Sequence, residues 1–200
     1  RRFSREEPAP HQPGQPGPDR LRLGHVHRPG PDDRNRQGAD PGQAEPVLDF
    51  LRNNQLSPSV ILLTHEHNDH IGGLPYFLKL NSKAKVILSG AIPGTEYASM
   101  RRYQHSLTGD VDFSQDKDRF VFVNESSNVG AVKVYANIDK RNPLPLGNKN
   151  LLCSNAAGQF MPDNFIHELA FVIDGVLFTG CAHSGILNIL QSIDAPISLS

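Results

Sequence analysis

Three features of the 200-residue chain predict an α/β fold. Short apolar runs, "VILLT", "AKVILSG", "RFVFVNES" and "ELAFVID", read as buried strands. Stretches with helical apolar spacing, "PVLDFLRNNQL", "LPYFLKLN" and "CAHSGILNILQSI", lie around them. The first run is followed at once by "THEHNDHIGG", Thr64 to Gly73, which packs three histidines and an aspartate into the six residues from 65 to 70.

The elements follow in order. Arg1 to about Glu45 is dense in Pro, Gly, Arg and Asp, has no Ile or Lys, and cannot bury enough apolar surface to offset its ordering entropy. Residues 1–45 are therefore expected to be a disordered or aberrant arm, and 46–200 the folded domain. Two hundred residues suffice for one domain with a substantial core. "PVLDFLRNNQL" predicts a helix beginning at Pro46, with Val47, Leu48, Phe50 and Leu51 at helical spacing. "SPSVILLT" is a short buried strand bounded by Pro58. "IGGLPYFLKLN" is a turn and helix, with Pro75 in its first turn and Asn81 near its stop. "AKVILSG" is a second buried strand, and Ala91 to Asp118 reads as polar and irregular. "RFVFVNES", "GAVKVYANI", "ELAFVID" and "GVLFTG" are β-rich. Asp174-Gly175 between the last two is a two-residue hairpin signal. "CAHSGILNILQSI" leaves a strand and enters a helix with Ile186, Leu187, Ile189 and Leu190 on its apolar side.

Composition excludes several classes. A net charge of -1 and 20% charged residues do not suit a polybasic nucleic-acid binder, so nucleic acid is not expected as a partner. The apolar runs are too short to span a bilayer, which argues against a membrane partner and makes a cytoplasmic location the default. Two cysteines, Cys153 and Cys181, cannot form a disulfide framework. The oligomeric state is left open.

His65, His67, Asp69 and His70 form H-x-H-x-D-H. Alternate positions in a loop leaving a strand project to one side, so His65 and His67 can reach one ion together. Asp69 and His70 follow as the loop turns into a helix, where they can face a second ion. Imidazole and carboxylate suit zinc, with iron or manganese as alternatives, and Gly72-Gly73 let the backbone turn tightly beneath. The plainer reading is a solvated His-rich loop. The pattern arises by chance in about one such chain in a thousand, which favours the metal.

"THEHNDHIGGL" resembles the signature loop of the metallo-β-lactamase superfamily. The resemblance covers about Val47 to Ile193 and implies an αββα sandwich, here partial, with one or two metals at the edge of two sheets. It implies a third His later in the chain. His167, immediately before the "ELAFVIDGVLFTGC" hairpin, is favoured over His105, which lies in a polar stretch beside Arg101 and Arg102. It also implies an acidic or thiol ligand at a strand end, a place that Cys181 occupies. The plainer reading of Cys181 is a small buried apolar residue; Cys153 is read as structural. Glu168 is either a residue supporting the ligands or a plain exposed Glu.

"PDNFIHELAFVIDGVLFTGCAHSGILNIL" is similar to the branch of 7,8-dihydropterin-6-yl-methyl-4-(β-D-ribofuranosyl)aminobenzene 5'-phosphate synthase-like proteins. His183 is there a candidate ligand, proton donor or substrate contact, with a satisfied structural His as the rival. The amides near Ser184 and Gly185 are a candidate phosphate cradle. The family's Asp-rich turn before the His loop is not found in the first 45 residues, and its last His ligand is expected beyond Ser200.

The resemblance implies a hydrolase with a dinuclear zinc site, whose metal-activated hydroxide attacks an ester, lactone or phosphoester in a small-molecule substrate that can be phosphorylated. Asp69 is expected to be catalytic as well as a ligand. The alternatives are a transferase or synthase acting on a pterin and an aminobenzene ribosyl phosphate, and a degenerate metal-binding module.

Overall fold

The structure is a computed structural model that describes residues 41–100, 105–106, 111–114 and 117–198. Its helices are α1 (Pro41–Asn53), α2 (Asn68–Ile71), α3 (Leu74–Leu80) and α4 (Ile186–Ser192). Its strands are β1 (Val60–Leu62), β2 (Lys85–Ser89), β3 (Tyr97–Ser99), β4 (His105–Ser106), β5 (Phe120–Val123), β6 (Ser127–Val129), β7 (Val132–Tyr135), β8 (Leu151–Ser154), β9 (Phe160–Pro162), β10 (Ala170–Ile173) and β11 (Val176–Phe178).

Strand alternation produces the layering. In β2, Val86 and Leu88 turn to one face and join Ile71, Leu74 and Phe120 against α2 and α3. Ile87 turns to the other face and meets Val134 of β7 and Phe171 of β10. In the second sheet Tyr135, Ala170 and Val172 turn outward onto Ile189 of α4. The stack therefore runs helix, sheet, sheet, helix, because each sheet has two apolar faces and each helix only one.

The first sheet is parallel in the order β1-β2-β5, and the second antiparallel in the order β11-β10-β7-β6. Parallel pairing of β1 and β2 needs a crossover, and α2 and α3 supply it. Arg119 holds the end of that crossover by donating to the carbonyls of Leu78, Asn81 and Ala84. The β10–β11 hairpin turns at Asp174 and Gly175, with φ of 50° and 78°, the two positive values that a type I′ turn requires.

Three expectations meet differences. Helix α1 begins at Pro41, ahead of the expected boundary at Pro46. Ala44 and Leu48, one turn apart, are both buried, and their stripe outweighs the backbone hydrogen bond that Pro46 forgoes. Residues 1–40 of the expected arm lie outside the described residues. Second, α4 buries Asn188 and Ile189, while Ile186, Leu187 and Leu190 are exposed. Asn188 is a satisfied polar plug: its Oδ1 accepts from the Asn142 backbone at 2.7 Å, and its Nδ2 donates to the Ser184 carbonyl at 2.7 Å. Third, an antiparallel sheet in the order β4-β3-β8-β9 lies partly within the stretch expected to be irregular. All three residues of β3 are buried, so they show no alternation from which to read a strand. His105 belongs to β4.

Candidate metal centre

The His loop leaves β1 and is pinned to a distant part of the chain. Leu63 N–H donates to the Ile87 carbonyl at 2.9 Å, and Leu169 N–H donates to the Thr64 carbonyl at 2.7 Å. The second bond joins the loop to the residue before β10, which carries 165–168 to the same place. At the end of β11, Gly180 closes the approach from the other side. A Cβ there would collide with Thr64 Oγ1 and come within 3.1 Å of the His65 ring, so only glycine lets residues 181–183 reach the loop without displacing it.

Five imidazoles gather as a result. The His65 ring centroid lies 4.8 Å from His67, 4.2 Å from His70, 5.0 Å from His183 and 6.1 Å from His167. Three sets of possible ligand atoms lie within 4.8 Å of one another: His65, His67 and His183; His65, His70 and Cys181; and His67, Asp163 and His167. His65, His67 and His167 are buried, whereas Cys181 is exposed, with its sulfur 3.1 Å from His70 Nε2. Asp69 is in none of these sets. Its side chain is 70% exposed, and its Oδ2 stands 3.6 Å from His70 Nε2.

The hydrogen bonds decide which nitrogens are free. The carbonyl of His183 can only accept, so the Asn148 amide nitrogen must face it, as it does at 2.7 Å. Asn148 Oδ1 then faces His183 Nδ1 at 2.9 Å and can only accept, which puts the ring proton on Nδ1 and the lone pair on Nε2. His183 Nε2, His65 Nε2 and His67 Nε2 are all buried without a hydrogen-bond partner. His167 differs: Nδ1 receives the Glu66 N–H at 3.5 Å and Nε2 pairs with Asp163 Oδ2 at 3.1 Å. Of the three sets, that of His65, His67 and His183 has the most unmet demand, since each of its rings carries an unpartnered nitrogen.

Electrostatics agree with neutral ligands. Burial, then the neighbouring imidazoles, lowers His65 far below its ordinary value and pulls His67 down to about 4. Burial also lowers His183. For Asp163, burial acts to raise the carboxyl, but the hydrogen bond and charge of His167 outweigh it and hold Asp163 low. Burial raises the Cys181 thiol, and Asp69 and Glu168 add to the rise.

Glu168, read from the sequence either as a residue supporting the ligands or as a plain exposed Glu, is buried, and it accepts from the backbone N–H groups of His183 at 2.7 Å and Ser184 at 2.5 Å. Those amides, with Gly185 N–H bonded to the Ala182 carbonyl, are consumed inside the protein, so the expected phosphate cradle is not formed by them. Phe165, at φ 53°, stacks on His183 at 4.9 Å with 10° between the planes. Tyr97 of β3 lays its ring 4.4 Å from His167. Glu66, between His65 and His67, is buried, and burial pushes it up to about 8. Alternation within "HEH" was the signal for Glu66, and the i, i+4 spacing of Asp163 and His167 was the signal for their pair.

The layered fold with a histidine cage at its sheet edge defines a class of metal-dependent proteins. Residues 29–128 match the sequence profile described as the Metallo-beta-lactamase superfamily, and the chain belongs to that superfamily. The match begins well before Val47, where the resemblance in the sequence begins. A hydroxyacylglutathione hydrolase of Vibrio parahaemolyticus serotype O3:K6 is 48% identical over 54 residues, which are 27% of this chain and 21% of that protein. One from Pectobacterium carotovorum subsp. carotovorum is 60% identical over 40 residues, 20% of this chain and 16% of that protein. The matched stretches thus span about a fifth of those relatives. A crystal structure described as a metal-dependent hydrolase of the beta-lactamase superfamily superposes with a TM-score of 0.58 at 26% identity, covering 72% of this chain and 55% of that one. These relatives carry the hydrolase name, not that of the pterin synthase-like branch. Among the described residues no helix is long and apolar enough to cross a membrane.

Proposed function

We propose that this chain carries the metal centre of a hydrolase acting on a thioester, ester, lactone or phosphoester of a small molecule. One observation carries the reading: His65, His67 and His183 each bury an Nε2 without a hydrogen-bond partner, and the three residues place ligand atoms within 4.8 Å of one another. Leaving a buried polar group unmet costs roughly 1–3 kcal/mol, so three of them on neighbouring rings suit a cation. Imidazole and thiolate donors fit zinc, with iron or manganese as alternatives.

His65, His67 and His183 would hold one ion. His70 and Cys181, with Asp69 beside them, would hold a second. His167, oriented by Asp163, forms the wall behind His67. A bound divalent cation supplies Lewis acidity toward a carbonyl or phosphoryl oxygen and lowers the pKa of water. Asp69 stands on the solvent side of His70, where its carboxylate can orient an attacking water and receive its proton. Tyr97 and Phe165, both buried against the imidazoles, keep water from the inner side of the cage.

The names of the matched relatives favour the thioester within this substrate range. The test is elemental analysis after zinc loading and dialysis, followed by a panel of glutathione thioesters, lactones and phosphoesters, and a pterin with an aminobenzene ribosyl phosphate. Two equivalents of zinc and hydrolysis of a panel member are expected. No retained metal refutes the centre. A pterin-dependent product without hydrolysis would select the transferase reading.

A further inference from the structure

We infer that Asn148 is a positioning residue that makes His183 a metal ligand by fixing its ring tautomer. The inference rests on the proposed metal centre and adds a residue from outside every motif that the sequence displays.

Asn148 belongs to a short 3-10 helix, Leu146–Asn150, between β7 and β8. Its amide clamps one residue twice, donating to the His183 carbonyl at 2.7 Å and accepting from His183 Nδ1 at 2.9 Å. The backbone carbonyl fixes the amide orientation, and the amide orientation fixes the ring proton. A free neutral histidine exchanges between two tautomers, and only one presents a lone pair at Nε2. Here that nitrogen is buried, has no hydrogen-bond partner and shares a set with His65 and His67. The remaining freedom of His183 is removed by Phe165, stacked on its face, and by Glu168, which accepts its backbone N–H.

The chain thereby holds an Nε2 lone pair ready before any ion arrives. Such outer partners raise ligand basicity and pre-set ring orientation, and their loss typically weakens metal binding by about 10–100-fold.

The experiment has two readouts on the metal-free and zinc-titrated protein. Two-bond proton–nitrogen correlation spectra of the histidine rings, assigned with His183→Ala, report the tautomer without any metal. Competition against a zinc chelator reports affinity. The unmodified protein is expected to show His183 protonated at Nδ1 alone. Asn148→Ala is expected to mix the tautomers and to weaken zinc binding by about 10–100-fold. Asn148→Asp keeps an acceptor for Nδ1–H while giving up the donor to the His183 carbonyl, and is expected to hold the tautomer that Asn148→Ala loses, which separates positioning from packing. A His183 proton on Nε2 in the unmodified protein would overturn the inference. So would undiminished affinity in Asn148→Ala while His67→Ala has lost zinc. Undiminished zinc affinity in His67→Ala would instead remove the metal-centre reading beneath it.

Discussion

The metal-free protein should be most stable near pH 7, and Glu66→Gln should abolish its weakening above that value. Glu66 has a folded-state pKa of about 8 against an ordinary 4.5, because burial disfavours the carboxylate. The folded chain therefore binds more protons than the unfolded one between those values, and stability falls as pH rises through them. The buried histidines have the opposite sign. His67, at about 4 against 6.5, stays neutral when folded while the unfolded chain takes up protons, so its contribution is lost as pH falls below 6.5. From pH 4.5 to 6.5 the two slopes nearly cancel, and His65 and His183, both lowered, tip the balance toward rising stability. Above 6.5 the histidine contributions fade as the unfolded imidazoles lose their protons, and beyond about pH 7 Glu66 dominates. At about 1.4 kcal/mol per pKa unit, Glu66 alone takes away about 2 kcal/mol between pH 6.5 and 8, and the difference between the unmodified protein and Glu66→Gln isolates it because the histidines act equally in both. Urea unfolding of the chelator-treated protein at those two pH values measures it. Gln in place of Glu66 mimics the protonated acid, so that variant should lose no stability between them, and its difference from the unmodified protein should change by about 2 kcal/mol. If Glu66→Gln weakens between them as much as the unmodified protein, the buried-acid reasoning is wrong.

Other perturbations separate chemistry from architecture. Asp69→Ala should abolish hydrolysis while leaving the unfolding midpoint within experimental scatter, since the side chain is 70% exposed; full turnover would remove Asp69 from the mechanism. Gly180→Ala should cost about 1–3 kcal/mol in urea unfolding and weaken zinc retention, because its methyl would push Thr64 and the His65 ring aside. Asp163→Ala should cost about 1–3 kcal/mol at neutral pH by leaving the buried His167 Nε2–H without its acceptor, a loss that unfolding monitored by circular dichroism would detect.

Much of the architecture could be read from apolar runs. Strands β1, β2, β5, β10 and β11, helix α3 and the Asp174-Gly175 turn follow from local rules: a buried strand is a short apolar run, and a type I′ turn wants two residues that tolerate positive φ. The β3, β8 and β9 sheet was not legible. A three-residue strand such as Tyr97–Ser99, buried throughout, has no alternation, and its identity lies in partners some fifty residues away. Helix α4 misled for a related reason, since a buried Asn188 is recognisable only once Asn142 is beside it.

The sequence by itself determined that metal-seeking groups crowd one strand end, because side-chain chemistry and spacing within ten residues are local properties. Which nitrogens can bind was decided only by the tertiary structure. His167 and His183 look equivalent as letters, yet Asp163 and the Glu66 amide engage both nitrogens of one ring, while Asn148 turns a lone pair of the other toward His65 and His67. A ligand is defined by where its proton sits, and the proton is placed by hydrogen bonds between residues that only folding brings together.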